Sequence, residues 1–365
     1  MKKSINNKKI NKIPTSGDKV VGNKRKREEN DIKNTSQKDK NPETIHFFKN
    51  IINDAYCHME YNHNIFELFK SINNITYLIY TNKKNSIISY DLNENVKINE
   101  IKNAHKNIIT HFSYYFDNIN KRDLLISLSR KEKNLKLWKV EDWECLFNYQ
   151  KTVGKLYFAC FLNYNNIISC ESKHEFSFWG PEIIRIVDLK GKITNEIDNY
   201  FFDSKYIECY YDKNKKTTYI ISIFSYAIKS YDYDQKKQYK EYNINRKDCS
   251  NLIINDKDKI IKLIASCRDG YIKVWDFHEG NLISKIYASY YMNLYGICLW
   301  GNDYLFVGCR YGVIQFIDLN NEKIIKKLNG GDNDVLTIKK INHPKYGECI
   351  LSLSFNSKKI KMWII

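Results

Sequence analysis

Arginine and tyrosine stand close together in the last hundred residues of this 365-residue chain, as Arg268 with Tyr271 and Arg310 with Tyr311, with Tyr290-Tyr291 between them. A guanidinium carries five N–H donors on a planar face, and a phenol joins flat apolar surface to one hydroxyl. These residue types dominate the hot spots of protein interfaces, so the chemistry on offer is recognition rather than bond-breaking. The sequence leaves a second reading open, in which the tyrosines pack inside the fold and the arginines are simply solvated.

Two other stretches invite the same question. "SKHEFSFWGPE", residues 172 to 182, places Phe176, Phe178 and Trp179 within four positions. Aromatics that dense in a loop either fold back onto the body of the protein or cover a partner. Lys24-Arg25-Lys26-Arg27 is a compact basic cluster of the kind that serves as a nuclear-import signal or a nucleic-acid patch. Catalytic motifs are missing: there is no Gly-rich phosphate loop, no Gly-x-Ser-x-Gly, no His-Glu-x-x-His and no set of kinase motifs. His111, His174 and His343 are isolated in sequence. The ten Cys lie scattered from Cys57 to Cys349 without a Cys-x-x-Cys pair, which fits reduced, partly buried thiols better than zinc ligands or disulfides. Neither a cofactor nor a small-molecule substrate is expected.

The elements that must position these residues follow from composition and period. Hydrophobic residues make up 43% of the chain and aromatics 14%, with 28 Tyr and only four Pro, which suits many short strands. The formal net charge is +17. Abundant Lys, Asn, Ile and Tyr also follow from an AT-rich genome, so that charge is discounted as evidence for a partner. No apolar run approaches the roughly 18 residues of a membrane helix, and "MKKSINNKKINK" lacks the apolar stretch of a signal peptide, which predicts a soluble protein of cytoplasm or nucleus. Residues 1–50 hold 14 Lys and Arg against six Asp and Glu and almost no aromatics, the composition of a disordered basic tail over residues 1–44. "NPETIHFF" then offers Asn41 as an N-cap and Pro42 at the first helical position, with Ile45, Phe48 and Ile52 at helical spacing, and predicts a short helix.

From there the sequence repeats. The clearest unit, "LIASCRDGYIKVWDFHEGNLISKI" (263 to 286), reads as strand, Asp269-Gly270 turn, strand ending in Trp275-Asp276, turn at Glu279-Gly280, strand. Weaker copies of its middle strand give Tyr90, Trp138, Val187, Tyr231, Ile317 and Trp363 at the position of Trp275, at intervals of 48, 49, 44, 44, 42 and 46 residues. A period in the forties with four short strands per unit is the signature of a β-propeller blade, and seven copies predict an all-β, seven-bladed propeller over residues 45–365.

At the Trp-Asp pair and its preceding Asp-Gly turn the chain resembles the WD-repeat family, of which the G-protein β subunit is the familiar member. The resemblance implies a hydrogen-bonded tetrad of His, strand Ser or Thr, turn Asp and Trp in each blade. His105 and Trp138 supply part of it in blade two, where "RKEKN" replaces the Asp turn. Asp269 and Trp275 supply part in blade five, where Asp248 stands near the expected His and Cys267 displaces the serine register by one. In blade seven Trp363 has Gly331-Asp332 where Gly-His is usual. The resemblance also places the loops joining second to third strands, and fourth to first, on one face, which gathers Arg268, Tyr271, Tyr290, Tyr291, Arg310 and Tyr311 there. "KKIKMWII" (358 to 365) is then the third strand of blade seven, and residues 51–58 are expected to supply the fourth and close the ring ahead of a first blade that begins with "NIFELFKSI" (64 to 72). The function implied is that of a non-catalytic scaffold for protein partners. The alternative is a component of a nuclear ribonucleoprotein in which tail and disc bind RNA phosphates.

Overall fold

The computed structural model describes residues 45–56, 65–151, 154–173, 183–198, 206–224, 226–244, 249–290, 293–331 and 333–365. It forms seven four-stranded antiparallel sheets and, among the described residues, no α-helix. The seven third strands are Ile87–Asp91, Asn134–Lys139, Ile183–Asp188, Ala227–Asp232, Tyr271–Asp276, Val313–Asp318 and Ile360–Ile364, and each carries the residue that the repeat places at the position of Trp275. The first strand of every blade touches the first strands of the blades on either side, with Phe66–Lys70 of blade one meeting Val335–His343 of blade seven. The seven blades therefore make a closed propeller.

Sheet chemistry explains the repeat. Second and third strands are buried on both faces, so they read as near-continuous apolar runs: Thr76–Thr81 is buried at every position, and Arg122–Ser129 at every position after the first. Fourth strands lie at the rim and are polar, as in Lys237–Asn243. Between third and fourth strands, the Asp of the Trp-Asp pair works locally. The Asp276 carboxylate accepts from the amides of His278 (2.8 Å) and Glu279 (2.9 Å), closing an Asx turn. Asp91, Asp188, Asp232 and Asp318 do the same in blades one, three, four and six, which is why Asp persists where the Trp does not.

The closing strand is where sequence and structure part. His46–Ile52 pairs antiparallel with Ile360–Ile364, so the N-terminal segment does complete blade seven, but the strand is 46–52 rather than 51–58. No helix forms at Ile45, Phe48 and Ile52. The register slips between Phe47 and Lys49 and again between Asn50 and Ile52. Each bulge inserts a residue, so the inward positions fall three and four apart instead of two, and a strand imitates helical spacing. Ile45 and Ile52 are buried and Phe48 is half-buried in the core.

Candidate protein-docking face

Antiparallel strands alternate direction, so the second-to-third and fourth-to-first connections share one face of the disc, here called the upper, and the other turns share the lower. On the upper face the turn Arg268-Asp269-Gly270 of blade five is tied to the segment that follows the blade. The amides of Ala288 and Ser289 donate to the Gly270 carbonyl at 2.8 and 3.1 Å, and that of Asn293 donates to the Arg268 carbonyl at 3.2 Å. Tyr290 follows directly on this tied segment, with 82% of its surface exposed.

In blade six the turn is tighter. Tyr311 sits at φ 58°, in the left-handed region, and its amide donates to Asp334 at 3.1 Å. Gly312 (φ +71°) must be glycine, since a Cβ there would lie 1.5 Å from the backbone oxygen of Gly331. Asp334 also accepts from the Tyr295 hydroxyl at 2.5 Å. Burial and the Asp334 carboxylate push the Tyr295 phenol well above its ordinary range, while Arg268 and Arg310 both pull it back. Two guanidiniums from adjacent blades thus act on one half-buried Tyr–Asp pair, with the Arg310 guanidinium 5.0 Å from the Tyr311 ring and Tyr311 54% exposed.

The structure therefore sets Arg310 against Tyr311, lets Arg268 and Arg310 both act on Tyr295, and packs Tyr271 against its own blade. Tyr271 begins the third strand of blade five and packs on Tyr287 of the fourth (ring centroids 5.2 Å apart), with Lys285 Nζ 4.0 Å from its ring centre. Tyr291, Phe176, Phe178, Trp179 and the cluster Lys24, Arg25, Lys26, Arg27 lie outside the described residues, as do His174, Asp248 and Asp332. Sequence reading missed Tyr295 and Asp334, which organise the site. Neither belongs to a motif, and only the folding of blade six against blade seven gives them a common address.

The tetrads divide by blade. In blade two Trp138 Nε1 donates to Ser127 Oγ at 2.8 Å, and Ser127 Oγ lies 2.7 Å from His105 Nε2. The Ser127 hydroxyl is thus left to donate to Nε2, so Nδ1 carries the ring proton toward Glu132 Oε2 at 3.2 Å. Glu132, inside the "RKEKN" that replaces the Asp turn, performs the Asp role from one methylene further out. In blade seven Trp363 donates to Ser352 at 2.9 Å. Blade five lacks the network: the residue opposite Lys273, where blade two has Ser127 opposite Lys136, is Ala265 rather than a shifted serine or Cys267. Asp269 there pairs with buried Lys273 at 2.9 Å, and Trp275 is held by packing, including Tyr242 edge-on at 6.2 Å.

Burial pushes the His105 imidazole down to about 4, although Glu132 opposes the shift. The unfolded chain takes up a proton near 6.5 that the folded chain refuses, so stability is complete above that value and falls as the pH drops toward 4. His105 is expected to contribute up to about 1.4 kcal/mol per pH unit within that window. Urea titrations across it, with His105→Gln as the comparison, read this as a shallower pH dependence in the variant.

The hub of the disc holds a cavity of about 590 Å³ whose lining includes Glu67, Tyr206, Glu208 and Lys339. Lys339 pairs with Glu67, and the Tyr206 hydroxyl donates to Glu208 at 2.8 Å. Burial pushes the Glu208 carboxyl up. Among the described residues no group of three or more His, Cys, Asp or Glu is placed to hold a metal ion, and no helix is long and apolar enough to cross a membrane.

No protein-family model matches the chain. A stretch of 99 residues, 27% of the chain, is 25% identical to the U3 small nucleolar RNA-associated protein 21 homolog of Schizosaccharomyces pombe. The match covers 11% of that relative's length. This chain is thus a seven-bladed β-propeller with a local likeness to one segment of a much longer RNA-associated protein.

Proposed function

We propose that the chain is a WD-repeat-type, non-catalytic scaffold in an RNA-associated assembly, and that its upper face docks a protein partner at Arg268, Arg310, Tyr290 and Tyr311. The observation that supports this is that Arg268, Arg310 and Tyr311 of neighbouring blades all act on the Tyr295–Asp334 pair, with exposed Tyr290 in the connection between those blades. Tyr and Arg supply large flat contact surface, Tyr with few rotatable bonds to fix on binding, which is what a hot spot requires. The likeness to a small nucleolar RNA-associated protein supports the RNA-associated setting. A nuclear location, served by Lys24-Arg25-Lys26-Arg27, belongs to the same reading, as does contact of the basic tail with RNA.

The test is affinity purification with mass spectrometry, with and without nuclease, comparing the wild type with Arg268→Ala/Arg310→Ala. Truncating a hot-spot Arg costs about 2 kcal/mol or more, so the pair should lower recovery of the principal nuclease-resistant partner at least about tenfold. The melting temperature should hold, because exposed substitutions away from core and caps change stability by about 0.5 kcal/mol or less. Normal recovery would end the docking assignment and move attention to Phe176, Phe178 and Trp179.

A further inference from the structure

Charge is distributed unequally between the two faces. Among the described residues, the connections of the upper face carry 14 Lys and Arg against four Asp and Glu, whereas those of the lower face carry ten against nine. Counted over their full sequence, the upper connections hold 17 against ten. The upper connections are also the longer ones, so what distinguishes that face is where its bases stand rather than how dense they are.

Of the ten upper acids, the four among the described residues are all engaged within the protein. Asp54 accepts from the Tyr80 hydroxyl at 3.0 Å, Glu132 faces His105, Asp269 pairs with Lys273, and Asp334 holds Tyr295 and Tyr311. Of the bases, Lys151 is buried against Glu171 at 2.6 Å. The rest concentrate in four consecutive blades, from Lys358 and Lys359 in blade seven, through Lys83 and Lys84 in blade one, to Arg130 and Lys131 in blade two and Lys173 in blade three. Lys83, Lys84, Lys102, Lys106 and Lys131 are exposed and stand in no ion pair among the described residues. The face also bears the two most exposed of the described aromatic side chains, Tyr290 (82%) and, in blade four, Tyr226 (70%).

We infer that this basic arc, from blade seven through blade three, binds the phosphate backbone of single-stranded RNA. The choice of polyanion rests on the RNA-associated reading above; the charge asymmetry does not. Lysine ammonium groups spaced around a rim suit a chain with one charge per nucleotide, and the exposed Tyr226, in the blade next to the end of the arc, offers a face on which a base stacks. The centre of the arc, in blades one and two, lies across the ring from Arg268 and Arg310, so RNA and a protein partner have separate footprints on one face.

The experiment uses the full chain and a fluorescent single-stranded RNA of about 20 nucleotides, with affinity read by anisotropy as a function of salt. Lys83→Glu/Lys84→Glu/Lys106→Glu/Lys131→Glu is compared with Lys190→Glu/Lys192→Glu/Lys213→Glu/Lys257→Glu, which changes the net charge equally but on the lower face. The upper variant should bind at least about tenfold more weakly, and its salt slope should be shallower by about 0.7 for each phosphate no longer neutralised. The lower variant should stay near wild type. Equal effects of the two variants, or none from either, overturn the inference. Ultraviolet crosslinking of the unmutated protein gives a reading independent of the variants' folding: adducts should map to the peptides holding Lys83 to Lys106 and Arg130 to Lys133, and adducts confined to residues 1–44 overturn the inference. So does an acidic peptide of equal charge that binds the arc where RNA does not. If RNA binding fails while capture through Arg268 and Arg310 persists, the scaffold reading stands without the arc.

Discussion

Removing residues 1–53 is expected to destabilise the whole propeller, while removing residues 1–40 leaves its melting temperature unchanged. The longer cut takes away His46–Ile52, and with it the outer partner of Ile360–Ile364. That strand would then present a row of unpaired N–H and C=O groups at the edge of blade seven. The loss is also apolar. Ile45 and Ile52 are each 3% exposed, Phe48 packs in the blade seven core, and the Phe47 ring stands edge-on to Trp363 at 5.6 Å. Fully burying an Ile is worth about 1.5–3 kcal/mol, so two of them with Phe48 make several kcal/mol. Set against a total stability of about 5–15 kcal/mol, that loss is a large share of what holds the domain. The measurement is a thermal melt of both truncations beside the full chain. The 1–53 deletion should melt on the order of 10 °C lower or lose its cooperative transition; matching melting temperatures would show that the bulged strand contributes pairing without stability.

Glu171→Ala should be the most damaging single substitution away from the apolar core, costing about 3–5 kcal/mol. The Glu171 carboxylate is fully buried at the upper end of the second strand of blade three. One oxygen accepts from Ser169 Oγ at 2.6 Å and Tyr149 at 3.0 Å, the other from Lys151 Nζ at 2.6 Å and Arg185 Nη1 at 2.5 Å. Tyr149 and Lys151 belong to the end of blade two and the segment after it, while Ser169 and Arg185 lie in blade three, so one carboxylate joins two blades. Burial and Glu171 together push the Tyr149 phenol up to about 12. Arg185 keeps Glu196 at 2.7 Å when Glu171 is removed, but Lys151, with 7% of its side chain exposed, keeps no counter-charge there. An uncompensated buried cation is what makes breaking such a pair expensive. Urea unfolding of Glu171→Ala against Glu171→Gln, which preserves the volume, separates the effect of charge from that of packing. A cost below about 1 kcal/mol would mean that Lys151 reaches solvent by a rotamer change.

What the sequence by itself determined is whatever is encoded by neighbours in the chain. The third strands were legible in five blades because the Asp after the Trp-type position acts within a single turn, as Asp276 does on the amides of His278 and Glu279, and in blades two and seven, where Lys139 and Ile364 follow, because the Trp itself is kept. Period, strand count and the sevenfold ring follow from that local chemistry. The Asp269-Gly270 turn was legible for the same reason, and it places Arg268 without any knowledge of the rest of the fold.

Only the tertiary structure decided features made between segments distant in sequence. The closing strand was displaced from 51–58 to 46–52 because two bulges, fixed by pairing with the last strand of the chain, changed the apparent period of its apolar residues. Glu132 replaces the turn Asp of blade two because its longer side chain reaches His105 only once the fourth-to-first connection is folded against it. Asp334 became the organiser of the docking face because blade seven delivers it beneath the turn of blade six. The charge asymmetry is of the same kind. Lys83, Lys106, Lys131 and Lys358 are scattered across nearly the whole domain in sequence, and antiparallel strand reversal is what returns every one of them to the same side of the disc.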